Sequence, residues 1–139
     1  MHVLIIILEI IGVLLVCLFI AAAFSSDDYV IKSELIINKP QAQVFNYIKY
    51  LKNQENYNKW VLMDPTVRKK FTGADGTVAF HYAWDSDNNQ VGQGEQTITS
   101  LTDKRVDYDL LFIKPFSGKA KSYLDTEHVA DGQTNVIWV

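Results

Sequence analysis

The chain reads as an α+β domain: an antiparallel sheet with short helices near its N-terminal end, preceded by one transmembrane helix. Three observations predict this. Residues 3–24 are apolar apart from Glu9. A strand-like run is followed by a single helical stripe with a short second helix behind it. After these come short alternating runs parted by turn-rich stretches, the pattern of antiparallel strands with segregated helices.

The first segment, VLIIILEIIGVLLVCLFIAAAF, is as long as a helix that crosses a hydrocarbon core of about 30 Å. Its run is longer than the apolar core of a secretory signal, about 7–15 residues, and no Lys or Arg precedes it. Ala21-Ala22-Ala23 would suit cleavage if the segment were a signal, so that alternative stays open behind the anchor reading. Glu9 is costly at the bilayer centre. It stands six residues from Val3, about 9 Å along a helix, within reach of the near headgroups. It would sit there charged or neutral; a helix–helix contact through Glu9 is the alternative. Cys17 is the only cysteine, so neither an intramolecular disulfide nor a cysteine zinc site is possible. It reads as a small apolar member of the anchor, because Val16 is a poor residue before a lipoprotein cysteine. The membrane side of the following domain is undetermined: Lys32 and Lys39 follow the segment, but both belong to folded structure.

Residues 1–24 are thus expected to be the anchor, 25–28 (SSDD) a linker, and 29–139 the domain. All 13 basic residues and every acidic residue but Glu9 lie after residue 24, leaving that part near neutral. Nucleic acid is not expected as a partner, because it demands a basic patch.

YVIKSELII (29–37) predicts a strand. NKPQAQVFNYIKYLKN predicts a helix with Asn38 as N-cap and Pro40 in the first turn. Val44, Phe45, Ile48 and Leu51 form its apolar stripe. A short helix through QENYNKW ends before Asp64-Pro65. TVRKKF, TVAFHYAW, GQGEQTITSL, RVDYDLLFI, SGKAKSYLDTEH and TNVIWV follow as a six-strand meander. In the second of these, Val78, Phe80, Tyr82 and Trp84 share a face. Gly92 and Gly94 mark a bulge or bend.

The chemistry-bearing residues form no recognisable centre. His2, His81 and His128 lack metal-ligand spacing, so no metal and no cofactor is expected. No nucleophile elbow, phosphate loop or dinucleotide fingerprint is present. Asp85, Asp87, Asp107 and Asp109 read as solvated strand and turn residues. What stands out is the aromatic set Phe80, Tyr82, Trp84, Tyr108, Phe112 and Trp138, expected on the concave sheet face. It would fill the core or line an apolar pocket in which Tyr82, Gln96 and Tyr108 orient a ligand.

Several motifs, taken in order, resemble the SRPBCC superfamily of START-like and polyketide-cyclase-like proteins. IINKPQAQVFNYIKYLKN is similar to that family's first strand end and first helix. YNKWVLMDP resembles its W-x-x-W-v-x-M-D-P block, with Tyr57 at the first Trp position and Trp60 at the second. GQGEQTITS and PFSGKAKSYLDTE resemble its G-x-G-x-x-T-I-T strand and P-F-x-G-x-A strand pair. The resemblance covers about residues 29–139 and implies a helix-grip fold, in which a curved antiparallel sheet wraps a long C-terminal helix over a deep apolar cavity. The sequence runs to Val139 in an apolar strand with no such helix, so truncation, or another helix or partner covering the open sheet, is expected.

Three functions follow as expectations. The first is a membrane-anchored binding module for a lipid-like or other apolar small molecule, its cavity candidates being Trp60, Phe80, Tyr82, Trp84, Gln96, Tyr108, Phe112 and Trp138. The second is an enzyme of the polyketide-cyclase or hydrolase type, for which no catalytic residue stands out. The third is an interaction protein that docks a partner on the open sheet face.

Overall fold

The computed structural model describes residues 11–17, 19–20 and 30–139. The chain divides into two compact units, Met1–Val30 and Ile31–Val139. In the first, residues 11–17 and 19–20 are helical and exposed. Among the described residues no helix is long and apolar enough to cross a membrane. Cys17 is exposed. Glu9 and the linker lie outside the described residues.

The second unit is one seven-stranded, wholly antiparallel sheet with few short helices. Its strands are β1 (Ser33–Ile37), β2 (Arg68–Thr72), β3 (His81–Asp85), β4 (Gln93–Leu101), β5 (Arg105–Lys114), β6 (Gly118–Ala130) and β7 (Gln133–Trp138). The spatial order is β1-β7-β6-β5-β4-β3-β2. The last six strands therefore form a meander, and β1 pairs with the final strand. Helix α1 (Gln41–Ile48), a 3-10 turn (Leu51–Asn56) and α2 (Lys59–Leu62) bridge β1 to β2.

Alternation along the strands builds the core. Val106, Tyr108, Leu124, Ile98, Phe80 and Tyr82 point to one face, the inner face, and are buried against Val44, Phe45 and Ile48 of α1 and Leu51 of the 3-10 turn. The expected helical stripe is thus the buried one. Two bulges adjust the sheet: the β4–β5 register shifts at Gln93/Gly94 and again at Ile98/Ser100. The second shift turns Leu101 back to the core, where it packs in line with Ile98 despite odd spacing.

Several local expectations are corrected. Pro40, not Asn38, occupies the helix N-cap, and its carbonyl receives the N–H groups of Gln43 and Val44. The Asn38 side chain instead accepts a hydrogen bond from Gln133 Nε2 at 3.0 Å, tying the helix entry to β7. The second helix is split, because the Asn58 side chain turns back to cap α2, accepting from Trp60 N at 3.0 Å. The strand expected from Thr77 begins at His81. Ala79 adopts a left-handed φ of 70°, and Val78 is exposed rather than aligned with Phe80. The first strand is regular only from Ser33, and Val30 and Ile31 are exposed.

The 3-10 turn is held from a distance. Asp75, in the turn between β2 and β3, accepts from the N–H groups of Leu51 at 2.8 Å and Lys52 at 3.1 Å. A helix N-terminus lacks such partners of its own. Gly76, at φ 74°, lets that turn close on Tyr50; a Cβ there would stand 2.6 Å from the Tyr50 ring.

Candidate functional site: the inner sheet face

Cross-strand register places the aromatic candidates together. Tyr82 lies opposite Gln96 and Trp84 opposite Gly94. Gly94 lies opposite Phe112, Gln96 opposite Leu110 and Ile98 opposite Tyr108. Leu124 lies opposite Trp138. Directly opposed residues of an antiparallel pair project to the same side, so Phe80, Tyr82, Trp84, Gln96, Tyr108, Phe112 and Trp138 share the inner face. Trp60 does not join them. It stands on α2, 57% exposed.

The rings form a continuous row. Phe71 stacks on Tyr82 with centroids 5.0 Å apart. Tyr82 lies 5.7 Å from Trp84, and Trp84 meets Phe112 edge-on at 6.4 Å. Gly94 makes the last contact possible. A Cβ there would stand 2.5 Å from Trp84 Cζ2, so the absent side chain is the space the indole occupies. The indole N–H donates to the Val91 carbonyl at 3.2 Å, which fixes the ring. Phe71 was not among the sequence candidates, although its alternation with Lys70 and Thr72 was the available signal.

Burial falls along the strands away from α1. On β5, Val106 is 0% and Tyr108 1% exposed, whereas Phe112 two residues past Leu110 is 39% exposed. On β1, Leu35 is exposed on the same side, opposite Val136. The helices cover one end of the inner face, and the aromatic row runs from beneath them toward the open end.

Burial sets the phenol chemistry. Tyr82 is raised to about 12, first by desolvation and then by Glu55. Tyr108 is held well above its ordinary value by burial, with Tyr57 and Asp107 adding to it. Tyr57 is raised by burial. All three are neutral hydroxyls near neutral pH.

The outer face is ionic. Arg68 binds Asp85 Oδ2 from Nη2 at 2.9 Å and Asp87 from Nη1 at 3.1 Å. Arg105 binds Asp107 at 2.6 Å while lying 3.6 Å over the Tyr123 ring. His81 and Glu95 approach to 3.2 Å. His128 lies on β6 and is exposed. Asp64 is kept ionised by hydrogen bonds from Ser86 and Thr66. Each of these contacts occupies a carboxylate with a structural partner. An open depression of about 200 Å³, lined by Arg68, Ala83, Asp85, Glu95 and Ile113 among others, belongs to this ion-paired side. Among the described residues no group of three His, Cys, Asp or Glu side chains is placed to hold a metal.

The fold is a sheet-rich α+β class compatible with a helix grip. No family model matches the chain, and no curated protein matches it. Solved structures do. A solution structure from Thermobifida fusca superposes with a TM-score of 0.56 at 13% identity, over 78% of this chain and 69% of that one. Protein Ms6760 of Mycobacterium smegmatis gives 0.51 at 12% identity, over 77% and 68%. Protein CV1439 of Chromobacterium violaceum gives 0.51 at 13% identity, over 78% and 76%. At such identities the likeness establishes the fold and carries no function.

Proposed function

We propose that the protein is a binding module for a lipid-like or other apolar small molecule, tethered by residues 1–24 as a single-pass anchor. The observation that carries this reading is the aromatic row Tyr82–Trp84–Phe112, which leads from the buried core to a partly exposed ring on an open sheet face. An apolar concavity with a few polar groups is the usual form of a small-molecule site, and Gln96, Tyr82 and Tyr108 supply such groups. The motif resemblance to the SRPBCC superfamily supports the same assignment. A tether would hold the site where apolar ligands partition, and the length of the first segment supports it.

The test uses the full chain held in amphipol and titrated with a dansylated fatty acid. Saturable uptake at one probe per chain is expected, with displacement by unlabelled fatty acid. Phe112→Asp should weaken it at least about tenfold, because a charge would be set in the apolar lining. Absence of saturable uptake by folded protein refutes the reading. Retention of the chain by membranes through an alkaline carbonate wash tests the tether; release into the supernatant refutes it.

A further inference from the structure

The two edges of the sheet are built differently. β2, at one edge, carries Arg68, Lys69 and Lys70 within five residues. Charges of this kind guard an edge strand against pairing with another chain. β1, at the other edge, reads SELII. Among the described residues its neighbour in the sheet is β7 alone, so the outward row of N–H and C=O groups has no strand partner. Val30 and Ile31 ahead of the strand, and Leu35 and Ile36 within it, are 56–77% exposed. An apolar edge left open in this way is a template for a further strand.

The residues of this edge divide cleanly between the two sides. Ser33 lies opposite Trp138 and Leu35 opposite Val136, on the inner side. Glu34 lies opposite Ile137 and Ile36 opposite Asn135, on the outer side. Lys32 Nζ bonds Glu34 Oε1, which places Lys32 on the outer side as well. Glu34 Oε2 also accepts from Asn135 Nδ2 at 3.3 Å.

The sequence of the edge names its partner. Val30–Ile36 reads VIKSELI, and this run is complementary to its own reverse. Opposed residues of an antiparallel pair project to one side. A two-fold axis normal to the sheet keeps inner side with inner side, so it must pass at a residue and not between two. Centred on Lys32 it would set two lysines together, and centred on Glu34 two glutamates. Centred on Leu35 it would set Glu34 against Ile36. Centred on Ser33 it sets Lys32 opposite Glu34 twice, Ile31 opposite Leu35 twice and Val30 opposite Ile36 twice.

We propose that the protein forms a two-fold dimer in which β1 pairs antiparallel with β1 of a second copy, in the register centred on Ser33. Val30–Lys32 continue the strand, and the two sheets join into one. The apolar pairs cover the exposed edge on both sides. Exposed ion pairs add little affinity; here they select the register, because each neighbouring register loses them or opposes like charges. The contact is isologous and closes on itself, whereas β1 against β2 of another copy would leave an open edge at each end.

Reciprocal charge reversal tests the pairing. Sedimentation equilibrium of the full chain in dodecyl maltoside should show a monomer–dimer equilibrium. Lys32→Glu alone, or Glu34→Lys alone, sets like charges opposite one another at both ion-pair positions and should raise the dimer Kd at least about tenfold. An equimolar mixture of the two variants should recover the dimer to within about threefold of the unaltered chain, since each supplies the charge the other lacks. Mixing cannot restore an ion pair within one chain, so recovery separates pairing between copies from a local role of Lys32 and Glu34. In a Cys17→Ser background, Ser33→Cys should form a disulfide-linked dimer on mild oxidation, because directly opposed Cα atoms lie about 4.5–5.5 Å apart. Thr72→Cys, on the β2 edge, should remain monomeric. A full chain that stays monomeric overturns the proposal. So does a dimer that survives both single variants, a loss that mixing does not recover, or cross-linking no faster at position 33 than at position 72.

Discussion

Removing the Tyr108 hydroxyl should stabilise the ligand-free protein. Tyr108 is 1% exposed and its hydroxyl has no partner. Leaving such a group unpaired costs about 1–3 kcal/mol. Deleting one oxygen opens a void on the order of 10 Å³, which at about 24 cal/mol per Å³ costs a few tenths of a kcal/mol. Tyr108→Phe should therefore gain about 1–2 kcal/mol. For a domain of this size that raises the melting temperature by roughly 4–10 °C. Urea unfolding followed by circular dichroism reads it as a raised midpoint with an unchanged slope. Thr126→Val is the contrast. Thr126 is equally buried, but its hydroxyl donates to the Lys104 carbonyl at 2.9 Å. That substitution should cost about 1–2 kcal/mol. If Tyr108→Phe instead costs 1 kcal/mol or more, the hydroxyl has a partner in the folded protein.

Other outcomes follow from the same geometry. Asp75→Ala removes the acceptor of two N–H groups at the start of the 3-10 turn, and should cost about 1–2 kcal/mol in urea unfolding. Gly94→Ala drives a methyl into the Trp84 indole. It should cost about 1–3 kcal/mol and change tryptophan emission, whereas an unchanged spectrum would place the indole elsewhere. Alkali should destabilise the domain through its tyrosines. Tyr82 has a folded value of about 12 against an ordinary 10.0, so the folded state holds its proton longer than the unfolded state. The stability this contributes is complete below pH 10 and is lost as pH rises toward 12. Phenolate absorbance in that window should show Tyr82 and Tyr108 ionising together with unfolding. Smooth titration of every tyrosine before unfolding would contradict it.

The six-strand meander was legible because strict alternation survives in RVDYDLLFI and GKAKSYLDT, where each inward position is apolar or small; the pairing of β1 with β7 was not, because no local pattern encodes it. The aromatic row was legible for the same reason, since Phe80, Tyr82 and Trp84 at period two can only share a face. Trp60 misled because the aromatic type says nothing of side when the helix carrying it is a single turn. The burial of Gln54 and of the Tyr57 ring was not legible. Their burial comes from a 3-10 turn pressed onto the sheet by Asp75, a partner more than twenty residues away. The split at Asn58 and the left-handed Ala79 were also beyond pattern reading, because both are settled by hydrogen bonds that local periodicity does not encode.

Photolabelling with a diazirine-bearing alkyl ketone, followed by peptide mapping of the full chain, tests the central claim most directly. The account predicts adducts on the inner face, at Tyr82 or Trp84 and at Tyr108 to Phe112, reduced by excess unlabelled ketone. Adducts confined to the outer face, at Lys119, Lys121 or the Arg68 cluster, would contradict it.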